Sequence, residues 1–178
     1  PAPTAPASAI TALQTMARIG EPLLISANPQ LASLGGRDAI NELIGSWLSA
    51  WQHKDLDGYF RHYRNGFVGP STASHDEWRV DRAVKITRPA MIQLHLVSLE
   101  LVEDNTDNPL LRLALEYHST YYADRTVKEV RLRRRTDRTL EIEMERNTSV
   151  EALPLVRLLP SNAVAFNALA RSLAEHRL

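Results

Sequence analysis

The chain has 178 residues, 21 basic and 21 acidic side chains, and no cysteine. That length suits one domain with appendages and a sizeable core, and the balanced charge gives no global attraction to nucleic acid or an anionic membrane. Disulfides, thiolate nucleophiles and Cys-based metal sites are excluded, and no apolar run approaches the roughly 20 residues that span a bilayer.

The opening Pro-Ala-Pro-Thr-Ala-Pro-Ala-Ser reads as an extended tether. A chain that starts on Pro1 fits either a cleaved export signal or a piece cut from a longer protein. Such a spacer ahead of a domain leans towards the periplasm or another envelope location, with the cytoplasm as the alternative. Ile10, Leu13, Met16 and Ala17 have helical spacing, and Gly20 with Pro22 stops it. With Leu31 and Leu34 this predicts one or two short helices docked on a main domain. The expected layout is a tether and helical arm over 1–36, the main domain over 37–149, and a linker with a C-terminal helix over 150–178.

Asp38 is placed to cap a helix over 39–53, whose Ile40, Ile44, Trp47 and Trp51 share one stripe. Lys54 to Gly58 breaks it, and Asp55 can cap a short helix carrying Tyr59, Phe60 and Tyr63. Ser74 and Glu77 form a capping box before Trp78, opening a third helix that ends near Arg88-Pro89.

From Met91 the apolar period becomes two. Ile92, Leu94 and Leu96 share a face, while Leu99 and Leu101 continue on the other parity, which predicts a β-bulge near Val97-Ser98. Residues 104–109 make a turn. Leu111, Leu113, Leu115, Tyr117, Ser119 and Tyr121 line the next strand's inner face. Lys128, Val130 and Leu132 point inward from the third strand, and Leu140, Ile142 and Met144 from the fourth. A short loop at 136–138 sets Leu132 opposite Ile142, Val130 opposite Met144, Arg133 opposite Glu141 and Arg131 opposite Glu143. It also sets Glu129 against Glu145, unfavourable unless a cation lies between them. Ser161 is placed to cap a final helix with Phe166, Leu169, Ala170 and Leu173 on one stripe, which either folds back on the domain or docks on another chain.

Three helices before a bulged, curved antiparallel sheet resemble the nuclear transport factor 2-like fold, an α+β cone. Trp47-x-x-x-Trp51, Lys54-Asp55-Leu56-Asp57, Tyr59, Tyr63, Phe67, Trp78 and Arg82 carry the likeness, with Tyr117-His118-Ser119, Tyr122-x-Asp124, Lys128 and Ile142-x-x-Glu145. Together they resemble the branch appended to bacterial cell-wall L,D-transpeptidases and carboxypeptidases and to tetratricopeptide-repeat envelope proteins. The likeness covers roughly residues 38–148. Two members of the pattern are missing, a glutamine near Leu115 and a tryptophan at the place of Leu140. The catalytic cysteine of the enzymes that carry such modules is absent too, so the resemblance is to the accessory module.

Enzymes of this fold work through an Asp, Glu or His inside the cone. The strand parities put no such residue on the inward faces of residues 92–146; the polar inward members are Tyr117, Ser119, Tyr121, Lys128, Arg134 and Arg146. Only His62, Asp76 or Asp81 on the helices would supply acid–base chemistry. The six histidines lack ligand spacing, so no metal or other cofactor is expected. The run Arg131-Leu132-Arg133-Arg134-Arg135 faces Glu141 and Glu143, which reads as a salt-bridged sheet face and not a nucleic-acid patch.

The aromatic residues fill the wide end of the cone, or else Tyr59, Tyr63, Trp78, Arg82, Tyr117 and Ser119 leave a pocket with a cationic rim. Arg82 and Lys128 would then contact an anion such as a small carboxylate or a cell-wall fragment. The expected role is a non-catalytic binding or scaffolding module of the envelope, with a protein or a peptidoglycan- or glycan-derived ligand as partner. The alternative is a SnoaL-like small-molecule enzyme or carrier. Phe166, Leu169 and Leu173 are candidate partner-surface residues, and a homodimer through the helical tails is expected over one through the charged strands.

Overall fold

The structure, a computed structural model, describes residues 29–155 and 162–178, and the side chains of 36–155 and 168–178. The chain divides into residues 1–33 and 34–178, and the fold below is that of the second unit. The helix expected around Ile10, the Ser161 cap and the Phe166 side chain lie outside the described residues.

Helix α1 spans Pro29–His53, α2 Leu56–Phe60 and α3 His75–Thr87. Strands β1 (Ile92–Glu103), β2 (Leu110–Ser119), β3 (Ala123–Arg134) and β4 (Leu140–Ala152) form one antiparallel curved sheet in sequence order, and α4 spans Asn162–Glu175. The α+β cone expected from the sequence is the fold observed.

Helix α1 starts earlier than expected. Gly35-Gly36 and Asp38, expected as a boundary and a cap, lie within it; neither a glycine pair nor an aspartate breaks a helix by itself, because each costs only about 1 kcal/mol or less there. Its C-terminal stop is sharper. Lys54 takes a left-handed φ of 62°, the Lys54 N–H reaches Trp51 O and the Asp55 N–H reaches Ala50 O. This is a Schellman closure with lysine in the place usually held by glycine, and the Lys54 ammonium also donates to Pro89 O at 2.7 Å. Asp55 then caps α2 through the Gly58 N–H, and Ser74 caps α3 through the Glu77 N–H. The Glu77 carboxylate returns one residue outside the expected box, to the Ala73 N–H at 2.8 Å.

Ile40, Ile44, Trp47 and Trp51 are all buried, and their helix lies over the inner face of the sheet with Leu94, Leu96, Leu111, Leu113, Leu115, Val130, Leu132 and Ile142. The bulge in β1 falls where it was expected: the β1–β2 register shifts between Leu96 and Ser98, and shifts again between Leu101 and Glu103. An edge strand leaves backbone donors unpaired. Here helix side chains take two of them: Gln52 Oε1 accepts from the Leu94 N–H at 2.8 Å, and Ser172 Oγ from the Leu96 N–H at 3.1 Å. Helix α4 therefore folds back on β1. Leu169 is buried in the core and Leu173 packs against it, so two of the three residues expected to face a partner are used within the domain. This removes the support for a homodimer built on their stripe.

Strand β4 departs most from expectation. Arg133–Glu141 and Leu132–Ile142 pair as expected, but the register then shifts, so that Arg131 faces Met144, Val130 faces Glu145 and Glu129 faces Arg146. Glu143 is the extra residue, and one extra residue turns every later side chain to the other face. Glu145 goes inside and Arg146 outside, each the reverse of the expected parity. The unfavourable Glu129–Glu145 pairing disappears: Glu129 now accepts from Arg146 at 2.5 Å and Arg112 at 3.3 Å. The basic run is engaged along its length. Arg133 and Arg135 both bind Glu141, Arg134 reaches Thr106 O, and Arg131 reaches Glu103 at 2.9 Å in place of Glu143. Tyr121, expected on the inner face of β2, lies beyond the strand end and is exposed.

Candidate functional site

The bulge at Glu143 places a carboxylate inside the cone, where none was expected. Glu145 is 4% exposed. Its Oε1 accepts from Lys128 Nζ at 2.6 Å and its Oε2 from the Tyr63 hydroxyl at 2.7 Å. Arg82 Nη2 lies 3.6 Å away. The Tyr63 oxygen is 3.1 Å from Trp47 Nε1 and 2.7 Å from the Tyr59 hydroxyl. A hydroxyl has one proton; Tyr63 gives it to the carboxylate and accepts from Trp47 and Tyr59.

The aromatic stripe of α1, the short α2 and the bulged β4 thus meet at one buried anion. Burial pushes Glu145 towards its neutral form, but the charges of Lys128 and Arg82 and the hydrogen bonds from Lys128 and Tyr63 outweigh it, holding the carboxyl down to about 2. Burial also pushes the Tyr59 hydroxyl up to about 12 and Tyr63 well above its ordinary value. The cluster at neutral pH is one carboxylate, two cations and two neutral phenols.

An open cleft of about 410 Å³ lies beside this cluster. It is lined by the buried or half-buried Trp51, Arg82, Leu115, Tyr117, Ser119 and Lys128, and its rim includes Val84, Lys85, Arg88, Tyr121, Tyr122, Asp124 and Asn147. Arg82 reaches it because Trp78, Arg82 and Ile86 follow one another at four-residue steps along α3, with Trp78 and Ile86 buried. Lys128 lies opposite Asn147 in the register that the Glu143 bulge sets, just before a second shift at Val127, and its ammonium donates to Asn147 Oδ1 at 2.8 Å. Trp51 and Tyr117 have ring centroids 5.7 Å apart, Tyr117 and Tyr122 6.5 Å, and the Lys128 ammonium is 5.8 Å from the Trp51 ring.

Of the seven pocket residues expected from the sequence, Arg82, Tyr117, Ser119 and Lys128 line the cleft. Tyr59, Tyr63 and Trp78 do not: all three are buried behind it, packed ring on ring with Trp47, Phe60 and Phe67. Trp51, expected as core packing, is a wall. Ser119 Oγ donates to Tyr122 O at 2.9 Å and tightens the turn that holds the rim tyrosines. The helix-borne candidates for acid–base chemistry lie elsewhere. His62 Nδ1 donates to Gly58 O and Nε2 accepts from Ser46 Oγ, each at 2.7 Å, stapling α2 to α1. Asp81 is paired with Lys85 at 2.8 Å, and Asp76 is exposed in the first turn of α3.

The sequence reading missed Glu145, Asn147 and Asp124 as site residues. The signals for Glu145 were its place in the Ile142-x-x-Glu145 pattern and its clash with Glu129 in a straight register, which an extra residue in β4 relieves.

Residues 39–146, more than half of the chain, match the family of the Cds6 C-terminal NTF2-like domain. No curated protein matches the chain. Among solved structures, Bd1075 of Bdellovibrio bacteriovorus is 25% identical with a TM-score of 0.55, over 61% of this chain and 40% of that one. This chain therefore corresponds to well under half of Bd1075. The hexachlorocyclohexane dehydrochlorinase LinA-type3 of Novosphingobium barchaimii LL02 is 14% identical with a TM-score of 0.55, over 74% of this chain and 99% of that one. The helical cell shape determining protein Pgp2 of Campylobacter jejuni is 14% identical with a TM-score of 0.50, over 58% of this chain and 38% of that one. The last two likenesses are of fold. With the cone, its bulged sheet and the family match over residues 39–146, the chain belongs to the Cds6 C-terminal NTF2-like domain family.

Proposed function

We propose that this chain is a non-catalytic recognition module of the bacterial cell envelope, which holds a peptidoglycan- or glycan-derived ligand, or the end of a protein partner, in the mouth of its cone. The observation that carries this reading is the state of Glu145. A general base needs a lone pair within reach of substrate and a proton affinity near the working pH. Glu145 has both oxygens occupied by Lys128 and Tyr63, and its carboxyl is held down to about 2. Its role is to keep two cations and an aromatic stack in place. The cleft beside it combines aromatic and apolar walls with charged and polar groups that can orient a ligand, the common make-up of a binding site. The envelope setting rests on the resemblance to modules appended to cell-wall enzymes.

Asp124 favours a second reading, a SnoaL-like enzyme or carrier. It lies on the cleft rim, with Thr126 Oγ1 donating to its Oδ1 at 3.0 Å, and its carboxylate is the one acidic group lining the open volume among the described residues.

Incubating the purified protein with isolated cell-wall sacculi, then sedimenting and analysing the soluble fraction, separates the two readings. Recognition predicts co-sedimentation with no released fragments. Release of wall fragments, or a protein that stays wholly in solution, contradicts it. Fractionation of cells expressing the full-length gene tests the location, with the periplasmic or envelope fraction expected.

A further inference from the structure

We propose that the cleft takes a carboxylate with an apolar or ring-bearing body, the carboxylate clasped by Arg82 and the body lying between Trp51 and the Tyr117–Tyr122 pair. This rests on the recognition reading above and names the ligand class for the same cleft. Arg82 carries the inference. Its side chain is 22% exposed and faces the cleft, yet its contact within the chain is a 3.6 Å approach to Glu145. Among the described residues this guanidinium, which has Tyr59 and Tyr63 as further electrostatic neighbours, donates no hydrogen bond, and its five N–H donors form a fork matched to a carboxylate.

Lys128 is in a different position, although the sequence pairs the two as anion contacts. Its ammonium is used by Glu145 at 2.6 Å and Asn147 at 2.8 Å, and it sits over the Trp51 ring. Within the buried cluster one carboxylate faces two cations, and the excess positive charge lies on Arg82, with Arg88 also lining the cleft. An anionic ligand group complements it.

The rim fixes the direction. Asp124 repels an acid at the mouth, so the carboxylate goes inward and the body lies outward, where Tyr117 and Tyr122 offer ring faces and Val84 and Tyr121 are exposed. A peptide C-terminus, a uronic acid and an aromatic acid share this chemistry.

Calorimetric titration of the full chain with phenylacetate, N-acetylalanine and glucuronate, each against its neutral amide, tests the proposal, with the Trp51 indole resonance reporting the site. The acids are expected to bind about tenfold tighter than their amides, the difference between a hydrogen bond to a charged and to a neutral group. Arg82→Gln should abolish that preference and Arg82→Lys keep part of it. The tightest of the three acids identifies the body. If Arg82→Gln does not fold by circular dichroism, the acid–amide comparison on the unaltered protein still decides. Amides that bind the cleft as tightly as the acids overturn the carboxylate assignment and leave the recognition cleft standing. If neither acids nor amides move the Trp51 resonance, the cleft reading falls as well.

Discussion

Replacing Glu145 by glutamine tests the buried cluster most severely. The shape is kept, but the charge facing Lys128 and Arg82 is lost, and the Lys128 side chain is only 5% exposed. Removing one partner of a buried ion pair costs about 3–5 kcal/mol, because the other charge is left uncompensated. Glutamine keeps one acceptor oxygen for Lys128 or Tyr63, so the lower end, about 3 kcal/mol, is expected.

The carboxyl's proton affinity gives the same figure by another route. A shift from 4.5 to about 2 corresponds to about 3 kcal/mol at about 1.4 kcal/mol per pH unit. A carboxyl depressed in the folded state stabilises fully above its unfolded value, and the contribution disappears as pH falls from about 4.5 to about 2. Urea unfolding at pH 7, followed by far-UV circular dichroism, should therefore show the variant less stable by about 3 kcal/mol, with a midpoint temperature lower by roughly 6–12 °C. The gap from the unaltered protein should close as pH falls through that window. Adding Lys128→Met should recover part of the loss, since the buried ammonium left without its partner is then gone. A loss below about 0.5 kcal/mol at pH 7, or a gap that does not change with pH, would refute the electrostatic account.

Three further substitutions probe other joints. Tyr63→Phe removes the proton given to Glu145 and the acceptor used by Trp47, and is expected to cost about 1–3 kcal/mol in urea unfolding. Ser172→Ala strands the buried Leu96 N–H; about 1–3 kcal/mol should be lost, with faster hydrogen exchange at that amide. Gly69→Ala sets a Cβ 2.6 Å from Trp78 Cδ1, and the forced shift of the ring should cost about 1–3 kcal/mol and alter the near-UV tryptophan signal.

The parts of this structure that depend on local chemistry could be read from the chain alone. The caps at Asp55 and Ser74 hold the donors their spacing implied, and the four-three-four step from Ile40 to Trp51 marks the buried stripe of α1. The parity change after Leu96 located a bulge because apolar residues stand on both sides of it. In β4 the alternation of Leu140, Ile142 and Met144 with Glu141, Glu143 and Glu145 runs unbroken through the bulge and polar residues follow it, so no parity change shows the slip. A one-residue slip there decides whether Glu145 or Arg146 enters the cone. The pocket was blurred for a related reason. Helical spacing shows that Tyr59, Tyr63 and Trp78 face inward, but not that neighbouring rings seal them off from the cleft while Trp51 stays open to it. The start of α1 was misread because a glycine pair is a weak helix breaker, while its end at His53 fell where the Lys54 to Gly58 break placed it.

The most direct test of a cone that recognises without reacting is to recover its natural cargo. The protein would be isolated under native conditions from its own cells, and the small molecules released from it analysed by mass spectrometry before and after prolonged incubation with fresh protein. The account predicts an acid of unchanged mass, released from the unaltered protein and missing from Arg82→Gln. A mass that changes on incubation, or a neutral cargo retained equally by both proteins, would contradict it.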